Sequence, residues 1–147
     1  MRIGWFIAAA LLCCAQDTQL QNARKIFVAG LADKPGARQL QQALMESVRK
    51  AGPLQLVSSQ DQADAVLSGD GELWVKGYAA NNMRVRYVTH DARAIYTGYL
   101  SVELKDKSGK TLWSYLAAPR HAGSGDISKT LAEEVIHKLE TAVGMNK

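Results

Sequence analysis

Apolar positions change their period several times along the chain, and each change marks an element. Leu40, Leu44 and Val48 recur every fourth residue, with Ala37, Ala43 and Ala51 beside them and Gln, Glu, Arg and Lys opposite. That spacing predicts an amphipathic helix, ended by Gly52-Pro53. Before it, residues 26–31 are short, apolar and partly β-branched and run into Asp33-Lys34-Pro35-Gly36, as a buried strand followed by a turn would. Leu54 to Ser58 predicts a second short strand, closed by the polar turn Ser59-Gln60-Asp61-Gln62. From Ala65 to Tyr78 the chain reads as extended, with Leu67, Leu73 and Val75 on one parity and Glu72, Trp74 and Lys76 on the other. Residues 79–93 carry Asn81-Asn82 and His90-Asp91 around Val85-Arg86-Tyr87-Val88, the pattern of a loop or a hairpin excursion.

Alternation returns at Leu100, Val102 and Leu104, with Ser101, Glu103 and Lys105 opposite. Asp106-Lys107-Ser108-Gly109 then turns the chain into residues 111–116, predicting a β-hairpin. Asp126 is the expected N-cap of a closing helix on which Ile127, Leu131, Val135, Leu139 and Ala142 form the apolar stripe, with Gly144 as its stop. The fold class expected from this order is α+β: a two-layer sandwich with a mixed, mostly antiparallel sheet of about five strands and two helices on one face.

The first fifteen residues, MRIGWFIAAALLCCA, break with the rest, because Arg2 is their single ionised side chain. Residues 3–14 are too short for a bilayer span of about 20 residues but fit the apolar core of a secretory signal. Cys13 and Ala15 occupy the small-residue positions of a cleavage site before Gln16. A second reading treats Cys14 as a lipidation site, since Leu11 stands three residues before it, although Cys13 and Leu12 fill the intervening positions poorly. The expected organisation is a signal peptide over 1–15, a polar tether over 16–24 and one α+β domain over 25–147. The place of action is then outside the cytoplasm, periplasmic or tethered to the outer membrane.

Of 147 residues, 47% are apolar and 22% charged, which excludes a disordered chain and a polytopic membrane protein. Both cysteines lie in the leader. Cleavage after Ala15 would leave no disulfide, no thiolate metal site and no cysteine nucleophile. It would also leave seventeen basic against fourteen acidic residues, an excess with no block of like charges that suggests no nucleic acid partner.

Candidate chemistry is sparse. His90, His121 and His137 show no metal-ligand spacing. His90-Asp91 with His121 could converge as an acid–base pair, yet loop histidines are more often solvated. Gly123-Ser124-Gly125 lacks the strand before it that a nucleophile elbow needs. Arg120 and His121 near a helix start could hold an anion, but Asp126 would occupy the free amides and repel it. The pairs Asp61 with Asp64 and Glu133 with Glu134 read as solvated surface. A patch of Trp74, Lys76, Arg84, Arg86 and Tyr87, with Tyr96 and Trp113 on neighbouring strands, is the candidate binding surface for a sugar or a protein. Its competitor is plain strand packing of aromatic residues.

Two segments together carry a family resemblance. Ala63-Asp64-Ala65-Val66-Leu67-Ser68-Gly69 enters a strand, and the later hairpin turns through Ser108-Gly109-Lys110-Thr111-Leu112-Trp113-Ser114. This order resembles bacterial envelope proteins with the domain of the curli secretion channel, the lipoprotein activators of penicillin-binding proteins and the amino-terminal domain of TolB. The resemblance implies an α+β domain that binds an envelope protein or cell-wall component and has no enzyme chemistry or cofactor of its own. It implies structural roles for the motif residues: Asp64 holding a turn, Gly69 allowing a bulge, Ser108-Gly109 making the hairpin turn and Trp113 packing. A membrane would be met only through a lipid on Cys14. Alternatives from other classes are a small periplasmic hydrolase or metal-dependent enzyme using His90, Asp91 and His121, and a carrier of an apolar ligand held between helix and sheet.

Overall fold

The chain alternates short connections with strands and helices in the order the pattern predicts. The computed structural model describes residues 18–79, 92–121 and 125–144. They form β1 (Lys25–Leu31), α1 (Ala37–Lys50), β2 (Gln55–Leu56), a 3-10 turn (Gln60–Gln62), β3 (Ala65–Ala79), β4 (Arg93–Asp106), β5 (Thr111–Ala117) and α2 (Ile127–Ala142). The strands make one sheet in the order β2-β1-β3-β4-β5. β1 pairs in parallel with β2 and β3, whereas β3 with β4 and β4 with β5 are antiparallel and carry the long ladders. The protein is thus an α+β two-layer sandwich.

Both helices cover the same sheet face and pack on each other, α1 over β1, β2 and β3 and α2 over β4 and β5. The core between the layers holds Leu40, Leu44 and Val48 of α1 and Leu131, Val135 and Leu139 of α2. Facing them are Ile26, Leu67, Leu100, Val102 and Leu104 from alternate strand positions, all fully buried. Each of these branched side chains gains roughly 1.5–3 kcal/mol from burial. Period 3.6 on the helices and period 2 on the strands therefore meet in one apolar layer.

The ends are fixed by local polar contacts. Asp64 Oδ2 accepts from the Lys25 amide at 2.9 Å and the Arg24 amide at 3.3 Å, so it ties the entry of β3 to the start of β1. Gly69 lies opposite Leu31 after a register shift in β1. Asp106 Oδ1 accepts from the amides of Ser108 (2.8 Å) and Lys110 (3.0 Å) and from the Ser108 hydroxyl, and Gly109 takes φ 85° to close the hairpin. The Ser108 hydroxyl, before the two amides, holds the Asp106 carboxyl below its ordinary range. Asp126 caps α2 through the Lys129 amide, as expected, and its own carboxyl is lowered chiefly by the Ser128 hydroxyl.

Two boundaries differ from the sequence reading. Residues 18–22 are helical and Leu20 and Ala23 are buried, so the folded body starts within the stretch read as a polar tether. An apolar residue every third position is enough to make even a polar segment pack. The second strand is only two residues long, because Ser59 already caps the 3-10 turn by accepting from the Asp61 amide. The leader, with Cys14, lies outside the described residues. No helix among the described residues is long and apolar enough to cross a membrane.

Candidate functional site

β3 and β4 outrun their neighbours. The β1 ladder on β3 ends at Gly69, and the Leu73 amide makes the last contact on that side, donating to the Pro35 carbonyl at 2.9 Å. On the other side the β5 ladder ends at Leu100. Among the described residues, 74–79 of β3 and 93–98 of β4 therefore pair only with each other, as a two-stranded ribbon about 20 Å long by strand geometry. A register shift between Val75 and Gly77 bends it and inserts Lys76 as the unpaired residue.

Five large apolar side chains are exposed among the described residues, and four are on this ribbon: Trp74 (44%), Val75 (42%), Tyr78 (66%) and Tyr96 (44%). The fifth, Leu116, is on the edge strand β5. Among the described residues no layer lies against the ribbon, and apolar side chains stand on both its faces. Trp74 pairs across from Thr97 on the face away from the helices, tilted against the Tyr99 ring at 6.5 Å. Val75 and Tyr96 oppose each other on the helix side, followed by Tyr78 opposite Ala94. Lys76 and Arg93 are exposed beside them.

The base of the ribbon is pinned by a polar cluster on the open face. Lys34 Nζ donates to Asp70 Oδ2 at 2.6 Å and to the Tyr99 hydroxyl at 2.8 Å, and Tyr99 donates to the same Asp70 oxygen at 3.0 Å. Lys34 also sits 5.6 Å from the Tyr99 ring centroid. These bonds hold the Lys34 ammonium well above its usual range, first through Asp70 and then Tyr99, and hold the Asp70 carboxyl below its own through Lys34. The cluster favours both ions in their charged forms. It anchors the turn after β1 to the point where the ribbon departs.

The structure separates the residues of the sequence patch. Trp74 and Lys76 are on the ribbon, while Arg84, Arg86 and Tyr87 lie outside the described residues. Trp113 is elsewhere: it opposes Leu104, a core position, and stacks on Tyr115 at 5.9 Å and 11° beneath α2. Tyr115 in turn donates to Glu134 Oε1 at 2.7 Å, which raises its own pKa. Strand parity carries Trp113 inward, so its role is packing. His121 is exposed at the end of β5's connection, and His90 and Asp91 lie outside the described residues. No group of three or more His, Cys, Asp or Glu among the described residues could hold a metal ion. Sequence reasoning missed Val75, Tyr78 and Arg93. The signal was the length of the extended stretch itself, which exceeds what β1 and β5 can flank.

No family model matches the chain, and no curated protein matches it in sequence. By fold it is similar to PelC of Paraburkholderia phytofirmans, solved as a dodecamer. One crystal form has a TM-score of 0.52 at 17% identity over 84% of this chain and 90% of that one. A second has 0.51 at 16% over 85% and 90%. A DUF4136 family protein from Bacteroides thetaiotaomicron follows at a TM-score of 0.46, 14% identity and 86% and 90% coverage. A minor lipoprotein from Acinetobacter baumannii gives 0.40, 12%, 83% and 92%. The two-layer fold of this chain is thus one that PelC also has.

Proposed function

We propose that the protein is an exported, non-enzymatic module of the bacterial envelope that binds a protein or cell-wall partner through the ribbon at residues 74–79 and 93–98. The observation that carries this reading is the concentration of exposed apolar side chains on an element that contributes nothing to the core. Burying Trp74 and Tyr78 against each other or against the helices would stabilise the monomer, yet the ribbon holds them in water. Exposed aromatics of this kind are the usual anchors of binding surfaces.

The charge of the same stretch narrows the partner. Between residues 76 and 93 the sequence has Lys76, Arg84, Arg86 and Arg93 against Asp91 alone, so most of the chain's +4 falls here. An aromatic surface rimmed by cations favours an acidic partner, protein or glycan, with the cations speeding encounter and the rings supplying the hold. The leader of residues 1–15 supports export, with Gln16 or a lipid-modified Cys14 as the mature start.

Titrating envelope fractions of the host with the purified protein and its Trp74→Ala/Tyr78→Ala variant tests the reading. Loss of two aromatic anchors at about 2 kcal/mol each, about 4 kcal/mol together, should weaken saturable binding roughly a thousand-fold, with the circular dichroism spectrum unchanged. Lys76→Glu should weaken it less and reduce its salt dependence. Unchanged affinity in the folded double variant would overturn the ribbon as the binding surface.

A further inference from the structure

The leader joins the body at the end of the sheet farthest from the outer end of the ribbon. β3 runs fifteen residues from Ala65 to Ala79, about 45 Å by strand geometry, and the chain enters beside its first residue. Asp64, just before β3, holds the Arg24 and Lys25 amides. Residues 18–22 are helical, Leu20 and Ala23 are buried, and Gln19, Asn22 and Ala23 line one groove with Asp106, Lys107 and Ser108 of the β4–β5 turn. Helix α1 ends at the same place, because the Gln55 amide, shortly after Lys50, donates to the Arg24 carbonyl at 2.8 Å.

This foot of the molecule is basic. Arg24, Lys25, Arg49, Lys50, Lys107 and Lys110 are all exposed, and none of them is in an ion pair among the described residues. Against these six stand Asp61, Asp64 and Asp106, of which the last two are turned onto backbone amides. Lys138 and Glu140, near the end of α2, cancel. The excess equals that of residues 76–93, and the rest of the chain has eight basic against ten acidic residues, so positive charge is gathered at the two ends. Arg49 and Lys50 also suit the carbonyl end of α1. Lys25 at the start of β1 and Lys107 and Lys110 at the hairpin turn stand where no helix dipole calls for them.

We propose that this foot is a membrane-facing surface that seats on anionic lipid headgroups, with the body held there by a lipid on Cys14. The proposal rests on the lipid-modified start of the exported chain and is independent of what the ribbon binds. Only residues 15–17 separate Cys14 from the helix that begins at 18, and those four Cα steps reach at most about 14 Å. That is under two screening lengths of about 8 Å each, so the six cations lie within the field of the leaflet. Each basic side chain brought to such a surface strengthens the contact about five-fold. The outer end of the ribbon then stands up to about 45 Å from the foot, clear of the lipid and open to its partner. The ribbon's own rings and cations are the rival lipid-binding element.

The test takes the mature protein from the host envelope. Its intact mass should start at a diacylglycerol-modified Cys14, and a start at Gln16 would overturn the tethered arrangement. That form has no free thiol, so Gln62→Cys at the foot and Ala79→Cys at the ribbon each carry a single fluorophore. In vesicles with about one third phosphatidylglycerol, a headgroup-borne quencher should reach the label at 62 at least about five-fold more than the label at 79. Quenching at 62 should be at least about three-fold weaker in phosphatidylcholine vesicles or at about 1 M salt. Lys25→Gln/Lys50→Gln/Lys107→Gln/Lys110→Gln, with an unchanged circular dichroism spectrum, should bring it to the phosphatidylcholine level in both kinds of vesicle. Quenching at 62 that ignores lipid charge, or that survives the four neutralisations, would overturn the proposal. Stronger quenching at 79 would do so by making the ribbon the lipid-binding element. None of these readouts involves the ribbon's partner, so this proposal and the ribbon reading fail separately.

Discussion

Gly98 is the point where the ribbon parts from the body, and adding one methyl group there tests the account of how it is held. A Cβ on Gly98 would lie 2.3 Å from the Glu72 carbonyl oxygen and 2.7 Å from Leu73 Cδ2. The leucine tip can turn aside, but the carbonyl is backbone in a ladder, so β3 and β4 must separate by about 1 Å to restore ordinary contact. Overpacking of this sort costs roughly 1–3 kcal/mol. Taking about 2 kcal/mol and a urea slope of about 1.5 kcal/mol/M, the Gly98→Ala midpoint should fall by about 1.3 M. Gly77, on the same ribbon, is the control, since nothing lies within 4 Å of its added Cβ and its φ is not positive. There the same substitution only reduces the freedom of the unfolded chain, a gain of about 0.4–1 kcal/mol, and the midpoint should rise by about 0.3–0.7 M. If both variants moved the same way, or if Gly98→Ala lost less than about 0.5 kcal/mol, the close approach at the ribbon base would be wrong.

Further outcomes follow from the core, the cap, the ions and the ribbon. Leu40→Ala, fully buried beneath Gly71, should cost about 2–5 kcal/mol by urea unfolding. Asp126→Ala removes the bond to the Lys129 amide and should lower stability by about 1 kcal/mol, or about 4 °C in thermal midpoint. The carboxyls of Asp70, Asp106 and Asp126 are all lowered, so their contribution is complete above the unfolded range near about 4 and is lost as pH falls through their lower folded values. Stability should hold from neutrality to about pH 5 and drop below about 4, less steeply in Asp106→Asn. The raised ammonium of Lys34 acts in the opposite sense, contributing below its unfolded value of about 10.4 and lost only at higher pH. Amides of 74–79 and 93–98 should exchange with deuterium by local opening, well before those of 65–71, since an isolated two-stranded ribbon is marginal in water. Equal protection of both segments in the free protein would contradict that.

Much of this architecture was legible because period and composition agree. Leu40, Leu44 and Val48 could serve only one helix face, and Leu100, Val102 and Leu104 only one strand face, so both elements and their inner sides followed from spacing alone. Asp126 and Ser108-Gly109 were legible for a different reason: capping and turn chemistry act over three or four residues. Where the sequence misled, a distant partner decided. For Trp113 the sequence left both a surface patch and packing open, and its pairing with Leu104 puts it under α2. Leu20 and Ala23 sit in a polar context and are buried because of what packs above them. The ribbon could not be read from parity either. The apolar parity of Leu67 and Leu73 continues to Val75, before the register shift at Lys76, and only the end of the ladders on either side shows that it has no core to face there.

That mismatch between pattern and environment is also what distinguishes the ribbon from the rest of the surface. In the body, polar clusters fix turns: Asp64 on the start of β1, Asp106 in the hairpin, and Lys34 with Tyr99 on one oxygen of Asp70 at the ribbon base, the other Asp70 oxygen being buried with no hydrogen bond among the described residues. Each spends its charge on structure, the contacts lowering the Asp70 and Asp106 carboxyls and raising the Lys34 ammonium. Along the ribbon the relation inverts: apolar rings are exposed and cations lack a carboxylate beside them in sequence until Asp91. Interaction energy that the fold leaves unused is concentrated there. The pinned base is what lets the ribbon extend from the body without disturbing the core.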